Sequence, residues 1–591
     1  MRTLAKGFYF GLAKSNLLRS RQTYLPQLIA TAVMSGVFLL ICGLTMSDQL
    51  SNLPTGETAA AIFGMGMAVF AVFSVFFMLY INRFLVSRRQ REFGLYGVLG
   101  LEKRHVARIL LYENLMVQGL GLLFGMLLAL VFGRLLFWVL LKLIRAAVPG
   151  SHFFLAPKAF LWTFLLFFAI FAVSMLVNLR QIRAASPMQL MQRERQGEPK
   201  QTGTIPLFVT GAVLLAVAYS VSWTIEQPIV ALFVFFMLVI LVIAATYLLF
   251  PAGSAVVLRL LRADKRFYYR PGNFITVSGL IHRMRQNARG LSSICILSTM
   301  FIVTISGTLA LYFGQEEMLG GMYPYDMEVR FADSVGNDEI RVFEKTLFTL
   351  ADARGLTLSA DPAKLVSQPL QDDAEPGGGI YLVGDTPGSA LKRNNHVYPG
   401  SRFVPLERLI CFDASMRFDC EGDEESCLAF VQDVRQAYRS TFADVPNRIV
   451  SEVFTSRQDG YGLYGGLLFL GVFFGLLFLA VTVLIIYFKQ ISEGFEDRQR
   501  FSILQKVGMD DVQVRGMINR QVLILFFLPL AATMLHMVFA SKIMARMLQS
   551  LVLYDLWLVL ACIGGTLAVF TAVYFAVYRL TARVYYKIVR R

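Results

Sequence analysis

The sequence predicts a polytopic α-helical membrane protein of ten transmembrane helices, arranged as two four-helix repeats plus a connecting pair, with one α+β extracellular domain. Three observations predict it. Hydrophobic residues make up 56% of the 591 positions and gather into runs of about twenty, the length that crosses a hydrocarbon core of roughly 30 Å. A single connection, 314–460, is far longer than any other and carries 25 acidic against 14 basic residues. Finally, the charged stretch 88–114, wedged between two apolar runs, has an echo 408 positions later in 498–515.

The chain opens with an amphipathic basic segment holding Lys6, Lys14, Arg19 and Arg21. The apolar run behind it has no small-residue cleavage site and reads as a retained first span, not a removable signal. The ten runs fall at about 26–47, 59–82, 109–133, 159–179, 205–223, 229–250, 291–313, 462–488, 519–541 and 557–579. Lys and Arg crowd the N-terminus, the loops 83–108, 180–200, 259–289 and 489–520, and the tail. Alternate connections are short or poor in basic residues, so the positive-inside rule places both termini in the cytoplasm. The net charge of +16 is therefore topological: a basic inner face beside anionic lipid, with no argument for a nucleic-acid partner.

The long connection then faces outward, and 145 or so residues suffice for a domain with its own core. Residues 325–332 alternate as a strand, 338–350 show helical periodicity through Ile340, Phe343, Leu347 and Leu350, and 380–383 are strand-like after the Gly377–Gly379 turn. A further strand is expected at 403–412 and an amphipathic helix at 425–442. Acidic clusters at Asp372, Asp373 and Glu375 and at Asp423, Glu424 and Glu425 read either as solvated loops or as ligand-facing positions for a cationic molecule. Three cysteines, Cys411, Cys420 and Cys427, lie in this connection. One disulfide can form among them, and the spacing does not say which pair. Cys42, Cys295 and Cys562 sit in apolar runs as core-filling residues.

The repeat has two offsets. Arg19, Arg21 and Gln22 fall on Arg283, Arg285 and Gln286, 264 apart, whereas Phe93 falls on Phe501, Leu95 on Ile503 and Gly100 on Gly508, 408 apart. The outer domain accounts for the difference. Runs 1–4 and 7–10 form two parallel repeats joined by runs 5–6. The expected divisions are 1–190, the first four-helix unit; 191–258, a linker and helices 5–6; 259–313, a cytoplasmic approach segment and helix 7; 314–460, the extracellular domain; and 461–591, helices 8–10.

Enzyme chemistry is missing. The stretch 7–15 (GFYFGLAKS) comes nearest to a phosphate-binding loop, but it lacks the Gly before Lys14 and no strand precedes it. No Walker motif or metal-ligand pattern is present, and five histidines leave little for acid–base work. Within the runs Glu113 and His536 are the notable polar residues. Glu113 reads as a transport group or as a partner of Arg108, and His536 as a transport group or as a neutral side chain bonded to a carbonyl. Gly471 and Gly475 have the spacing for close helix approach.

The charged segments suit a soluble partner: an amphipathic stretch carries Phe93 or Phe501, then turns at Gly100 or Gly508 into the next span. The alternative is a helix resting on lipid headgroups. Glu92-Phe93-Gly94-Leu95-Tyr96, then Leu99-Gly100-Leu101-Glu102-Lys103, then Glu113-Asn114 resemble the coupling segment of FtsX-like ABC transporter permeases of the bacitracin-resistance (BceB-type) group. The stretch 182–190 (IRAASPMQL) resembles the segment after the fourth span in those proteins. The second coupling segment departs, with Arg500 and Ser502 in place of Glu92 and Gly94. The resemblance implies a permease subunit in a bacterial cell membrane, working with a separate ABC ATPase dimer that binds ATP and magnesium, through mechanical transmission of type VII. It assigns ATPase coupling to Glu92, Phe93, Gly94, Leu95, Gly100, Arg500, Phe501, Ile503 and Gly508. It also implies resistance to and sensing of antimicrobial peptides that target cell-wall lipid intermediates, often beside a membrane sensor histidine kinase. Two alternatives are a signalling scaffold that chiefly activates that kinase, and a permease acting on another extracellular lipid or peptide.

Overall fold

The computed structural model describes residues 2–19, 21–47, 56–145, 155–184, 204–269, 271–322, 325–331, 337–360, 364–366, 381–383, 402–403, 414–442, 449–506, 511–551 and 553–590. Two compact units result. Unit 1 comprises Met1–Ala310, Gly465–Met547 and Leu556–Arg591; unit 2 comprises Leu311–Tyr464 and Leu548–Asp555.

The helices are α1 (Arg2–Arg19), α2 (Arg21–Thr45), α3 (Gly56–Arg88), α4 (Gln90–Val98), α5 (Lys103–Leu143), α6 (Pro157–Ala184), α7 (Thr204–Thr224), α8 (Pro228–Ala263), the single turn α9 (Lys265–Tyr268) and α10 (Pro271–Met322). Three of them start on proline, whose missing N–H has no partner to lose in a first turn. Among the described residues ten helices are long and apolar enough to cross a membrane, and each contains one of the ten expected runs or most of it. Several run well past their apolar stretch; α5, at 41 residues, takes in the charged residues before it.

Small residues set the contact between α2 and α5. On α5 the buried stripe Gly121, Gly125, Ala129 and Gly133 recurs every fourth position, which is one helix face. A Cβ on Gly36 of α2 would lie 2.9 Å from the Gly125 carbonyl oxygen, so the two backbones approach as closely as glycine allows.

The chain continues through β1 (Met327–Phe331), α11 (Asn337–Ala353), β2 (Thr357–Ala360), β3 (Lys364–Val366), β4 (Tyr381–Val383), β5 (Arg402–Phe403), β6 (Ala414–Glu421), α12 (Glu424–Thr441), β7 (Ile449–Glu452), α13 (Val453–Lys506), α14 (Asp511–Gln549) and α15 (Leu556–Arg590). In unit 1, α3 and α13 pack through a ladder of rings: Phe63 on Phe469 at 5.8 Å, Phe70 on Phe474 at 5.7 Å and Phe73 on Phe478 at 5.3 Å. Gly471 and Gly475 face α10, where a Cβ would meet Thr308 Oγ1 and Ile305 Cδ1, each at 2.5 Å. Their close approach is thus made within this chain.

Unit 2 is α+β. An antiparallel sheet in the order β2-β6-β1-β7 shares a core with α11 and α12: Met327, Val329 and Phe418 from strands meet Phe343, Leu347, Phe430, Val434 and Tyr438 from helices. A second sheet, β3-β4-β5, is three-stranded. The strands β2, β3, β6 and β7 were not expected from the sequence, and most of the strand expected at 403–412 lies outside the described residues. The short stretch Leu548–Asp555 joins unit 2 because Leu553 fills the space beside Gly314, where no side chain would fit.

Candidate functional site

The helix α4 is bounded by two backbone devices. At Arg89 the chain leaves α3 with φ −96° and ψ 6° and restarts. At the other end Gly100 adopts φ +88°, while its N–H donates to the Gly97 carbonyl at 3.2 Å and that of Leu101 to the Tyr96 carbonyl at 2.9 Å. These are the two bonds of a Schellman stop, whose left-handed residue favours glycine. The expected turn at Gly100 is therefore present, and it delivers the chain into α5.

Arg89 is the anchor. It is 5% exposed and Glu113, on α5, is 1% exposed. The guanidinium grips both carboxylate oxygens, Nη1 on Oε2 and Nη2 on Oε1, the latter at 3.1 Å. Glu113 Oε1 also accepts from Asn16 Nδ2 of α1 at 2.8 Å, and Oε2 from the Tyr24 hydroxyl of α2 at 3.0 Å. Four donors thus occupy the four acceptor sites of one carboxylate, the condition under which a buried ion pair holds. Arg89 donates further to the Tyr24 hydroxyl and, through Nε at 2.7 Å, to Glu92. Burial alone would lower the Arg89 pKa; the hydrogen bond and charge of Glu113 outweigh it and hold the guanidinium above its ordinary value. The sequence expectation that Glu113 pairs with Arg108 is corrected: Arg89, 24 positions away at the mouth of α4, takes that place. Neither Arg89 nor Asn16 was singled out by sequence reasoning, because four elements converge here from distant positions.

Phe93 is also placed differently from expectation. It is buried, in a cluster with Val86, Val106, Leu110, Met175 and Ile182, and the Arg89 guanidinium lies over its ring at 5.2 Å. It packs inside this chain and is not offered to a partner. The outward apolar face of α4 and its C-cap consists of Leu95, Val98 and the cap residue Leu99, which are 50%, 64% and 70% exposed. Their i, i+3, i+4 spacing aligns them on one face, with exposed Glu92, Glu102, Lys103 and Arg104 around them. Gly94 is buried. The sequence carries this signal in the spacing of Leu95, Val98 and Leu99.

The second segment is built otherwise. Helix α13 runs unbroken to Lys506, so Arg500, Phe501 and Ile503 continue a spanning helix, while Gly508 lies outside the described residues. At the position aligned with Arg89 stands Asp497, 3% exposed, which accepts from the Tyr585 hydroxyl at 2.6 Å. Gln521, also 3% exposed, aligns with Glu113.

The remaining residues singled out lie elsewhere. His536 bonds side-chain hydroxyls, not the carbonyl expected: Nδ1 is 2.6 Å from the Tyr219 oxygen and Nε2 is 3.2 Å from Thr246 Oγ1. The single Thr246 proton goes to the Val242 carbonyl at 2.6 Å, so Nε2 carries the imidazole proton and Nδ1 accepts from Tyr219. Among the acidic clusters, Asp372, Asp373 and Glu375 lie outside the described residues. Asp423 is the N-cap of α12, accepting from the Ser426 N–H at 3.0 Å, which holds its carboxyl below the usual range. Glu424 and Glu425 occupy the first turn that follows. Asp423 thus has a structural task of its own. Cys411 lies outside the described residues; Cys420 and Cys427 are neighbours.

Ten helices of membrane-spanning length among the described residues, with short charged elements between them, define a polytopic membrane protein, and the domain matched makes the class specific. The chain carries the FtsX-like permease domain: the C-terminal model of that family matches residues 64–187 and 472–584, stretches that begin 408 residues apart, the offset of the two charged segments. Over nearly its whole length the chain is similar to ABC transporter permeases. It is similar to an uncharacterized ABC transporter permease, YvcS, of Bacillus subtilis, 22% identical over 96% of this chain and 98% of the relative. The permease YxdM of the same organism is 22% identical over 91% of this chain and 93% of its own. The bacitracin export permease BceB of B. subtilis is likewise 22% identical, over 91% and 95%.

Proposed function

We propose that this chain is the membrane subunit through which a separate ABC ATPase dimer drives resistance to, and sensing of, antimicrobial peptides that bind cell-wall lipid intermediates. In this reading the protein lies in the bacterial cell membrane with both termini and α4 in the cytoplasm and unit 2 outside. ATP and magnesium belong to the ATPase. Hydrolysis moves α4, and the movement passes to the spans without cargo crossing a pore.

The observation that supports the reading is the two-sided character of α4. Outward it offers Leu95, Val98 and Leu99, an apolar patch in a charged setting and the pattern of a helix laid into a groove. Inward it is welded through Arg89 to Glu113, Tyr24 and Asn16, hence to α5, α2 and α1. A push on the outward face therefore reaches three helices at once. Similarity to a bacitracin export permease supports the substrate class.

The test is co-purification from cells expressing both subunits. Leu95→Asp and Val98→Asp are expected to insert at normal levels, lose the ATPase that accompanies the unaltered permease in a 2:1 ratio, and lose resistance. If both variants still bring down the ATPase in that ratio, α4 is not the docking element.

A further inference from the structure

Cys420 and Cys427 bring their sulfur atoms to 2.9 Å from each other, inside the contact distance of two unbonded sulfurs. We propose that these two thiols form an intramolecular disulfide that staples β6 to α12, with Cys411 left outside the pair. The proposal rests on the placement of unit 2 outside the membrane, because disulfides form and persist in oxidising compartments.

Both backbones are already fixed for the bond. Cys420 pairs with Leu358 across the β2–β6 ladder, and its N–H donates to Asp326 Oδ2 at 3.0 Å. Cys427 lies in the first turn of α12, where its N–H donates to the Asp423 carbonyl at 3.0 Å. Asp423 in turn caps that helix. A bonded sulfur pair stands at about 2.05 Å, so an approach of under about 1 Å separates the two thiols from the bond.

The surroundings favour a structural bond over a catalytic pair. Cys427 is 1% exposed and belongs to the core of unit 2, and Cys420 is half-buried against it. Burial first, then the bond to Cys427, pushes the Cys420 thiol well above its ordinary value. Reactive cysteines show the opposite, a thiolate favoured by positive surroundings. Oxidation therefore belongs to folding, before the core closes. One cysteine thiolate attacks a disulfide carried by an extracytoplasmic oxidant of the thiol–disulfide oxidoreductase class, giving a mixed disulfide. The second thiolate displaces the oxidant. The oxidant leaves as a dithiol with both electrons and both protons, and the new bond ends up inside the core.

The sequence supplies a clean readout. No Lys or Arg lies between Arg417 and Arg435, so trypsin releases both cysteines on the single peptide 418–435, while Cys411 leaves on 409–417. Full-length protein carrying Ser440→Cys is treated in intact cells with a membrane-impermeant maleimide. It is then denatured in N-ethylmaleimide without reductant, digested and weighed. The expected result is impermeant label on peptide 440–448, which reports unit 2 outside, together with peptide 418–435 lighter by two hydrogens and free of maleimide. Two maleimide adducts on 418–435 overturn the disulfide while the location stands. A cross-link between 418–435 and 409–417 overturns the pairing. Absence of label on 440–448 in intact cells, with labelling after permeabilisation, overturns the location and the oxidant with it.

Discussion

Arg89 and Asp497 occupy aligned positions in the two halves of the chain, 408 residues apart, and both are buried, 5% and 3% exposed. One is a cation held by a carboxylate on the neighbouring helix, the other a carboxylate held by the Tyr585 hydroxyl. The helix breaks at Arg89 and runs straight through Asp497. A duplicated element has thus kept its place and changed its polar chemistry, and the two halves should respond differently to loss of these contacts. Glu113→Gln leaves Arg89 buried beside a neutral amide and is expected to cost about 3–5 kcal/mol. Tyr585→Phe removes one hydroxyl bond from the Asp497 carboxylate and should cost about 1.5–3 kcal/mol. Thermal unfolding of the purified protein orders the two; equal losses would mean that the Arg89 pair is not the stronger anchor.

Phe93→Ala and Leu99→Ala separate the inner and outer faces of α4. Removing a ring buried among Val86, Val106, Leu110, Met175 and Ile182 is expected to destabilise by about 3–5 kcal/mol. Leu99 is 70% exposed, and its loss should leave the unfolding midpoint of the isolated permease unchanged while weakening ATPase binding. A stable Phe93→Ala protein that fails to bind the ATPase would return the aromatic to the docking role.

Much of this was legible in the chain, for reasons that differ by level. The ten helices follow from composition, since twenty apolar residues in a row have one stable outcome in a bilayer. Gly100 was legible because one backbone geometry demands it. The site was only half so. Phe93 drew attention as an aromatic among charges, yet which face of α4 turns inward depends on Met175 and Ile182 of α6, more than eighty positions on. Likewise the partner of Glu113 could be guessed only as a near neighbour, since the arrangement that selects Arg89 is three-dimensional. In unit 2 the strands β2, β3 and β7 escaped because three or four residues are too few for alternation to show, whereas α11 and α12 run long enough for their period to emerge. β6 differs: its eight residues alternate apolar and polar from Ala414 to Glu421, a signal that the sequence does carry.

Gly100→Ala tests the turn that leads α4 into α5. A φ of +88° costs an L-residue about 1–2 kcal/mol, and no neighbouring atom lies within 4 Å of the added Cβ. The loss is therefore conformational, with no clash to confuse it. Because the Schellman bonds set where Leu95, Val98 and Leu99 point, the variant should also weaken ATPase binding several-fold. Unfolding and co-purification on the same preparation give both numbers, and unchanged stability would contradict the left-handed conformation.

Gly125 and Gly119 lie on the same helix and should respond with opposite sign. At Gly125 an added methyl would lie 3.0 Å from the Gly36 backbone nitrogen and would also meet Ser35 and the Ala32 carbonyl. Backbone cannot rotate aside as a side chain can, so α2 and α5 must part, at a cost of about 1–3 kcal/mol. At Gly119 nothing lies within 4 Å, and the methyl removes only the entropy that glycine loses on entering a helix, a gain of about 0.5–1 kcal/mol. Gly125→Ala should thus lower the unfolding midpoint and Gly119→Ala raise it. The parting of α2 from α5 would also draw Tyr24 away from Glu113, so the first variant should impair resistance as well as stability. Two shifts of the same sign would show that the closeness of α2 and α5 is not what holds this half of the permease together.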